Sequence, residues 1–99
     1  MELKREEPLL RVGGEEFVLV LRQPLGAAWE RVDALRRRLE ASPFLPAPGA
    51  EPRHLTFSAG MSSCPTDAVD VSGLMRNADL RLRTAKRTGR NRVVARDSD

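Results

Sequence analysis

Leu9-Leu10-Arg11-Val12-Gly13-Gly14-Glu15-Glu16-Phe17-Val18-Leu19-Val20-Leu21 is the stretch that decides the fold. Leu9 to Val12 reads as a short strand. Gly13-Gly14 is a turn signal, because paired glycines supply the positive φ that tight hairpins need. Phe17 to Leu21 is an apolar run with no alternation, the pattern of a strand covered on both faces near the middle of a sheet. A hairpin over 9–22 is therefore predicted. At its tip Glu15 and Glu16 are adjacent carboxylates that repel each other, and no turn preference asks for them. A hard divalent cation would relieve that repulsion, since Mg²⁺ favours carboxylate oxygens together with substrate phosphates. The glycines would let backbone and ligand approach closely. Taken alone, the pair also fits an exposed acidic hairpin.

Outward from the hairpin, Pro24-Leu25-Gly26 breaks the strand. Ala28, Val32, Leu35 and Leu39 then recur at helical spacing, with Arg31, Arg36, Arg37 and Arg38 elsewhere on the wheel. The spacing predicts an amphipathic helix over 27–41 with Trp29 in the core or at its edge. Pro43, Pro46, Pro48 and Pro52 make 42–54 a loop. Leu55-Thr56-Phe57-Ser58-Ala59-Gly60 reads as a second buried strand, and Cys64-Pro65-Thr66-Asp67 as a turn. Asp70 is a suitable N-cap for a helix over 70–87 with Val71, Leu74, Ala78, Leu82 and Ala85 as its apolar stripe, stopped by Gly89. A last short strand spans 92–95. The predicted class is α+β: a sandwich of helices over a largely antiparallel sheet.

The 99 residues suffice for one small domain. Hydrophobic content is 40% and mean hydropathy −0.42, ordinary for a soluble globular chain. No run reaches the roughly 20 apolar residues of a membrane span, and the charged start, Met1 to Glu7, lacks the apolar stretch of a secretory signal. Cys64, the single cysteine, has no internal disulfide partner, so a reducing, cytoplasmic setting is expected. Arg76 to Arg96 holds eight basic residues against one acid, Asp79. Such a block can face nucleic acid, anionic lipid or a phosphorylated small molecule, or be a solvated surface.

Three blocks together resemble the GGDEF family of diguanylate cyclases: the hairpin Arg11 to Leu21, the strand Leu55 to Gly60, and Ala78-Asp79 with Ala85-Lys86-Arg87-Thr88-Gly89-Arg90-Asn91-Arg92-Val93. The resemblance spans about Leu9 to Val94. It implies a nucleotidyl-cyclase-like, ferredoxin-like sandwich that condenses two GTP molecules into cyclic di-GMP with loss of pyrophosphate. By the same resemblance Glu15 is a metal ligand and general base, and Glu16 assists at the same Mg²⁺ (or Mn²⁺) and nucleotide site. Gly13 and Gly14 line the nucleotide, and Lys86 and Arg90 hold its terminal phosphates. Those cations bracket a helix C-terminus, whose dipole repels phosphate, so side chains must do the holding. Alone they also read as solvent-exposed C-terminal caps. The family implies GTP as partner and a homodimer for catalysis, with no specific nucleic acid and no membrane segment in this chain.

The chain also departs from the family pattern. Twelve residues precede Gly13, and none forms the earlier strand with a metal-binding aspartate or the helix whose Asn and Asp read guanine. The expectation is a partial GGDEF domain over 1–99, inactive alone, either marginally stable or oligomeric because two apolar strands lack the strand between them. Lys4 and Glu7 stand at the two key positions of the family's inhibitory Arg-x-x-Asp motif, where lysine lacks arginine's bidentate fork. Arg81 and Arg83 replace a small residue and a tyrosine, so that helix face is expected to be unusually exposed. His54, Cys64 and Ser58 lack the partners of a zinc site, an activated thiol or a triad. The competing readings are a non-catalytic GTP- or cyclic di-GMP-binding or dimerisation module and, last, a basic nucleic-acid-binding chain without aromatic interleaving.

Overall fold

A computed structural model describes residues 9–11 and 16–96, the first three as backbone. The element order is β1 (Leu9–Arg11), β2 (Phe17–Leu19), α1 (Leu25–Ala41), β3 (Ala59–Gly60), α2 (Val71–Arg87) and β4 (Val93–Val94). The strands form two separate pairs. β1 and β2 are antiparallel with Leu9 opposite Leu19, Leu10 opposite Val18 and Arg11 opposite Phe17. β3 and β4 are parallel with Ala59 opposite Val93 and Gly60 opposite Val94. The α+β class holds, but the expected largely antiparallel sheet does not. Because β4 follows β3 through the whole of α2, a crossover helix returns the chain in the same direction, and such a connection makes parallel partners.

The apolar run from Phe17 was expected to be covered on both faces. Instead β2 stops at Leu19, Phe17 is 60% exposed and Val20 is 45% exposed. Among the described residues the hairpin pairs only with itself and not with β3 or β4. Without a second strand beside it β2 leaves Phe17 in solvent, while Val18 and Leu19 are half-buried. The predicted strand 55–60 shrinks to Ala59–Gly60 for a related reason: β4 is two residues long, and Leu55 ahead of the paired stretch is 48% exposed.

The helices start and stop for local reasons. Pro24, extended at φ −55° and ψ 148°, offers its carbonyl to the Ala28 N–H at 3.0 Å, so α1 begins at Leu25. Ser42 is extended ahead of Pro43, whose ring disfavours a helical residue before it. Between the helices, Phe44 and Arg53 exchange two backbone hydrogen bonds of 2.8 Å, so the proline-rich stretch closes into a small antiparallel bridge. Asp70 caps α2: its Oδ1 accepts the Gly73 N–H at 2.7 Å. Past Thr88, Gly89 (φ 129°), Arg90 (φ 59°) and Asn91 (φ 47°) all have positive φ and turn the chain into β4. Two consecutive non-glycine residues in that region cost about 1–3 kcal/mol each and persist only where the surroundings over-determine them.

The core lies between α2, the β3–β4 pair and α1, with Ala28, Ala85 and Val93 buried. Small residues permit close approach: a Cβ on Gly60 would lie 2.1 Å from the Ala78 carbonyl oxygen and 2.3 Å from the Leu82 nitrogen, so β3 rests directly on the α2 backbone. Trp29 donates its Nε1–H to the Val93 carbonyl at 3.1 Å. Arg92 and Val94 direct their carbonyls to β3, so Trp29 occupies the opposite edge of β4.

Arg81 corrects a sequence expectation. It is 4% exposed, not solvated. Its Nη1 and Nη2 donate to Asp67 Oδ2 and Oδ1 at 2.8 and 2.9 Å, and Nη1 also donates to the Met61 carbonyl at 2.8 Å. A buried guanidinium is tolerated when its donors are met. Arg83 does face solvent, in an ion pair of 2.9 Å with Asp79 four residues earlier.

Candidate functional site

The hairpin tip and the end of α2 meet at one point. Lys86 Nζ lies 3.9 Å from Glu16 Oε1. The two side chains are 35% and 48% exposed, so the pair contributes little to stability and stays accessible to a ligand. Lys86 sits in the last turn of α2, and Arg90 follows in the left-handed turn with its side chain in solvent. The structure thus brings Glu16 and Lys86 together. Gly13, Gly14 and Glu15, and the inhibitory-motif positions Lys4 and Glu7, lie outside the described residues.

Anion-holding chemistry fits this corner: an ammonium and a guanidinium stand at the C-terminal end of a helix, where carbonyls point outward and phosphate needs side-chain cations. Glu15, the other carboxylate of the expected metal pair, lies outside the described residues. The described residues contain no group of three His, Cys, Asp or Glu placed to hold a metal, and Glu16 is already beside a cation.

Sequence reasoning missed the side chains that hold the Arg90–Asn91 turn. Arg36 Nη1 donates to the Asn91 carbonyl at 3.4 Å and to Asn91 Oδ1 at 3.2 Å. Asn91 Nδ2 donates to Glu40 Oε2, and the Asn91 N–H donates to Ser58 Oγ at 3.1 Å. Arg36 is itself oriented by Asp33, whose Oδ1 accepts from Nε at 2.7 Å. The one sequence signal was Asn after Gly-Arg, since asparagine tolerates left-handed backbone. A groove of about 400 Å³ between Leu25, Gly26, Trp29 and Glu30 of α1 and Val93 to Arg96 shares no residue with this corner. Among the described residues no helix is long and apolar enough to cross a membrane.

Residues 2–92 match the family model described as diguanylate cyclase, GGDEF domain. A diguanylate cyclase of Vibrio cholerae is 36% identical over 83 residues, which is 83% of this chain and 25% of that protein. The response regulator PleD of Caulobacter vibrioides is 34% identical over 87 residues, covering 87% of this chain and 19% of that protein. The crystal structure of the GGDEF domain of DgcB from Caulobacter crescentus, in complex with c-di-GMP, superposes with a TM-score of 0.82 at 26% identity, over 96% of this chain and 56% of that one. The chain therefore spans a quarter or less of the length of these two curated relatives, and about half of the solved domain.

Proposed function

The chain belongs to the GGDEF domain family of diguanylate cyclases, and from that premise we propose that it carries the phosphate-holding face of a cyclase site that takes GTP. The reaction of such a site joins two GTP molecules into cyclic di-GMP: each 3′-hydroxyl attacks the α-phosphate of the other nucleotide, and pyrophosphate leaves. The reading rests on one observation, the 3.9 Å approach of Lys86 Nζ to Glu16 Oε1, which joins the hairpin to the end of α2. Lys86 and Arg90 take up charge on the terminal phosphates, and positioning with charge stabilisation is most of what phosphoryl transfer needs from a protein. Gly13 and Gly14 let backbone lie against the nucleotide. Glu15 and Glu16 would hold the Mg²⁺ (or Mn²⁺) that arrives with the triphosphate, and Glu15 would take the proton of the attacking hydroxyl. Two nucleotides must meet, so a homodimer is part of the proposal.

Residues 1–99 alone are proposed to bind GTP without turning it over, because among the described residues the hairpin pairs with no other strand. The same isolation of the hairpin supports a second reading, a non-catalytic GTP- or cyclic di-GMP-binding or dimerisation module. The test is incubation of the purified chain with GTP and Mg²⁺, chromatography for cyclic di-GMP, and calorimetry for GTP binding. Binding that is lost in Lys86→Ala with Arg90→Ala, and no product, is the expected result. Product that disappears in Glu15→Ala with Glu16→Ala would place the whole reaction in these residues. No GTP binding would overturn the proposal.

A further inference from the structure

The residues that hold Arg90 in place lie far from it in sequence. Arg90 and Asn91 both have left-handed backbone, at φ 59° and 47°. The Arg90 N–H donates to the Ala85 carbonyl at 2.8 Å, which ties it to α2. Asn91 is held by Arg36 and Glu40 from α1 and by Ser58 just before β3, and the Arg90 carbonyl also accepts from Arg92 Nε at 3.2 Å. Arg36 can reach Asn91 because Asp33, buried on α1, holds its Nε. Glu40 closes the loop, taking the Asn91 amide and lying 4.0 Å from Arg36 Nη1. The polar atoms of the Asn91 side chain and its backbone N–H and carbonyl are all engaged, while the adjacent Arg90 guanidinium stays in solvent.

We propose that Arg36 and Asn91 form a positioning clamp: by locking the left-handed turn they aim Arg90 at the phosphates of the nucleotide. This rests on the reading of Lys86 and Arg90 given above. An arginine on a free turn would sample many directions, and each ligand would have to order it at an entropic cost. The clamp removes the backbone part of that cost in advance, using groups set back from the Arg90 side chain. Arg36 and Asn91 are thus positioning residues, and Arg90 is the group that contacts phosphate.

Two measurements on the full 99-residue chain test the clamp, one of them independent of nucleotide. Hydrogen exchange in Arg36→Ala and Asn91→Gly should speed up at the Arg90 and Asn91 amides by roughly tenfold, with Arg81 in mid-helix unchanged. Asn91→Gly keeps easy access to positive φ, so it remains informative if Arg36→Ala fails to fold. Titration with GTP and Mg²⁺ should then show Arg36→Ala weakening binding about as much as Arg90→Ala, by roughly tenfold. The Arg36→Ala, Arg90→Ala double variant should be no weaker than either single one. Unchanged exchange at Arg90 and Asn91 overturns the clamp whatever the nucleotide does. Faster exchange with Arg90→Ala weakening binding and Arg36→Ala leaving it intact also overturns it, with the phosphate reading standing. Loss of effect in Arg90→Ala itself defeats the phosphate reading and the clamp's purpose with it.

Discussion

The guanidinium of Arg81 lies end-on against the carboxylate of Asp67, Nη1 to Oδ2 at 2.8 Å and Nη2 to Oδ1 at 2.9 Å. Asp67 Oδ2 also accepts the Ser63 N–H at 2.8 Å, and Arg81 reaches the Met61 carbonyl. One fork therefore ties the middle of α2 to the chain leaving β3 and to the turn that follows. This pair does the fastening that a larger apolar core does elsewhere, since the buried apolar residues among those described are Ala28, Ala85 and Val93.

Removing one partner strands the other. The side chains of Arg81 and Asp67 are 5% and 14% exposed, so Asp67→Ala leaves a buried, uncompensated guanidinium. A loss of about 3 kcal/mol is expected, measured by urea unfolding. The double variant Asp67→Ala, Arg81→Met should lose less than the single one, because the orphaned charge is gone. A single-variant loss under about 0.5 kcal/mol, the range of an ordinary surface change, would show that the fork carries no weight.

The same pair sets an acid response. The hydrogen bonds from Arg81 are the main reason the Asp67 carboxyl titrates below its usual 3.8, with desolvation opposing and the Ser63 N–H helping. A carboxyl whose folded pKa is depressed adds stability above its unfolded pKa and loses it as pH falls through the folded value. The stability gap between the wild type and Asp67→Asn should be constant from about pH 5 upward and should close below the folded pKa. Urea midpoints of the two proteins across that range decide it, and a gap that widened in acid would contradict the assigned direction.

Much of this was legible in the sequence where the cause is local. Paired glycines between apolar runs mark the hairpin, Pro24 and Pro43 bound α1, and Asp70 caps α2. What was not legible depends on residues far apart. The Arg81 position looked like an arginine stranded on an apolar helix face, because its partner lies fourteen residues earlier in a turn. Arg36 looked like one of several exposed arginines until Asn91, 55 residues later, arrived beside it. The apolar pattern of Phe17 to Leu21 marks a strand that the structure confines to Phe17–Leu19, since a pattern cannot say whether a neighbour is there to cover it. At the site, the pairing of Glu16 with Lys86 needed the fold, whereas each residue's candidacy came from its motif.

Gly60 should not tolerate a side chain. A methyl group there would meet backbone atoms of α2 at 2.1 and 2.3 Å, and backbone cannot swing aside as a flexible side chain can. Gly60→Ala should cost at least about 1–3 kcal/mol and shift the urea midpoint without changing the slope. Gly26, with nothing near its Cβ position, is the control at which alanine should be neutral or mildly stabilising.

Trp29 is the single tryptophan and donates to the Val93 carbonyl, so its emission reports the contact between α1 and β4. Trp29→Phe keeps most of the ring but removes the donor, and should cost about 1 kcal/mol. In the wild type, the fluorescence and circular-dichroism unfolding curves should coincide if α1 and β4 separate as part of the global transition. A fluorescence change well ahead of the loss of helix would show instead that the β4 edge opens first.

Phe17 tests what the uncovered hairpin does in solution. At 60% exposure, with Val20 at 45%, it places apolar surface beside a strand edge that no described strand occupies, and such edges recruit other chains. Sedimentation velocity should show self-association that grows with concentration. Phe17→Ser should suppress it while moving the unfolding free energy by less than about 0.5 kcal/mol, because little burial is lost. If wild type and variant both sediment as monomers over the full concentration range, the exposed face of β2 is not a contact between copies. If both associate equally, the contact lies elsewhere on the chain.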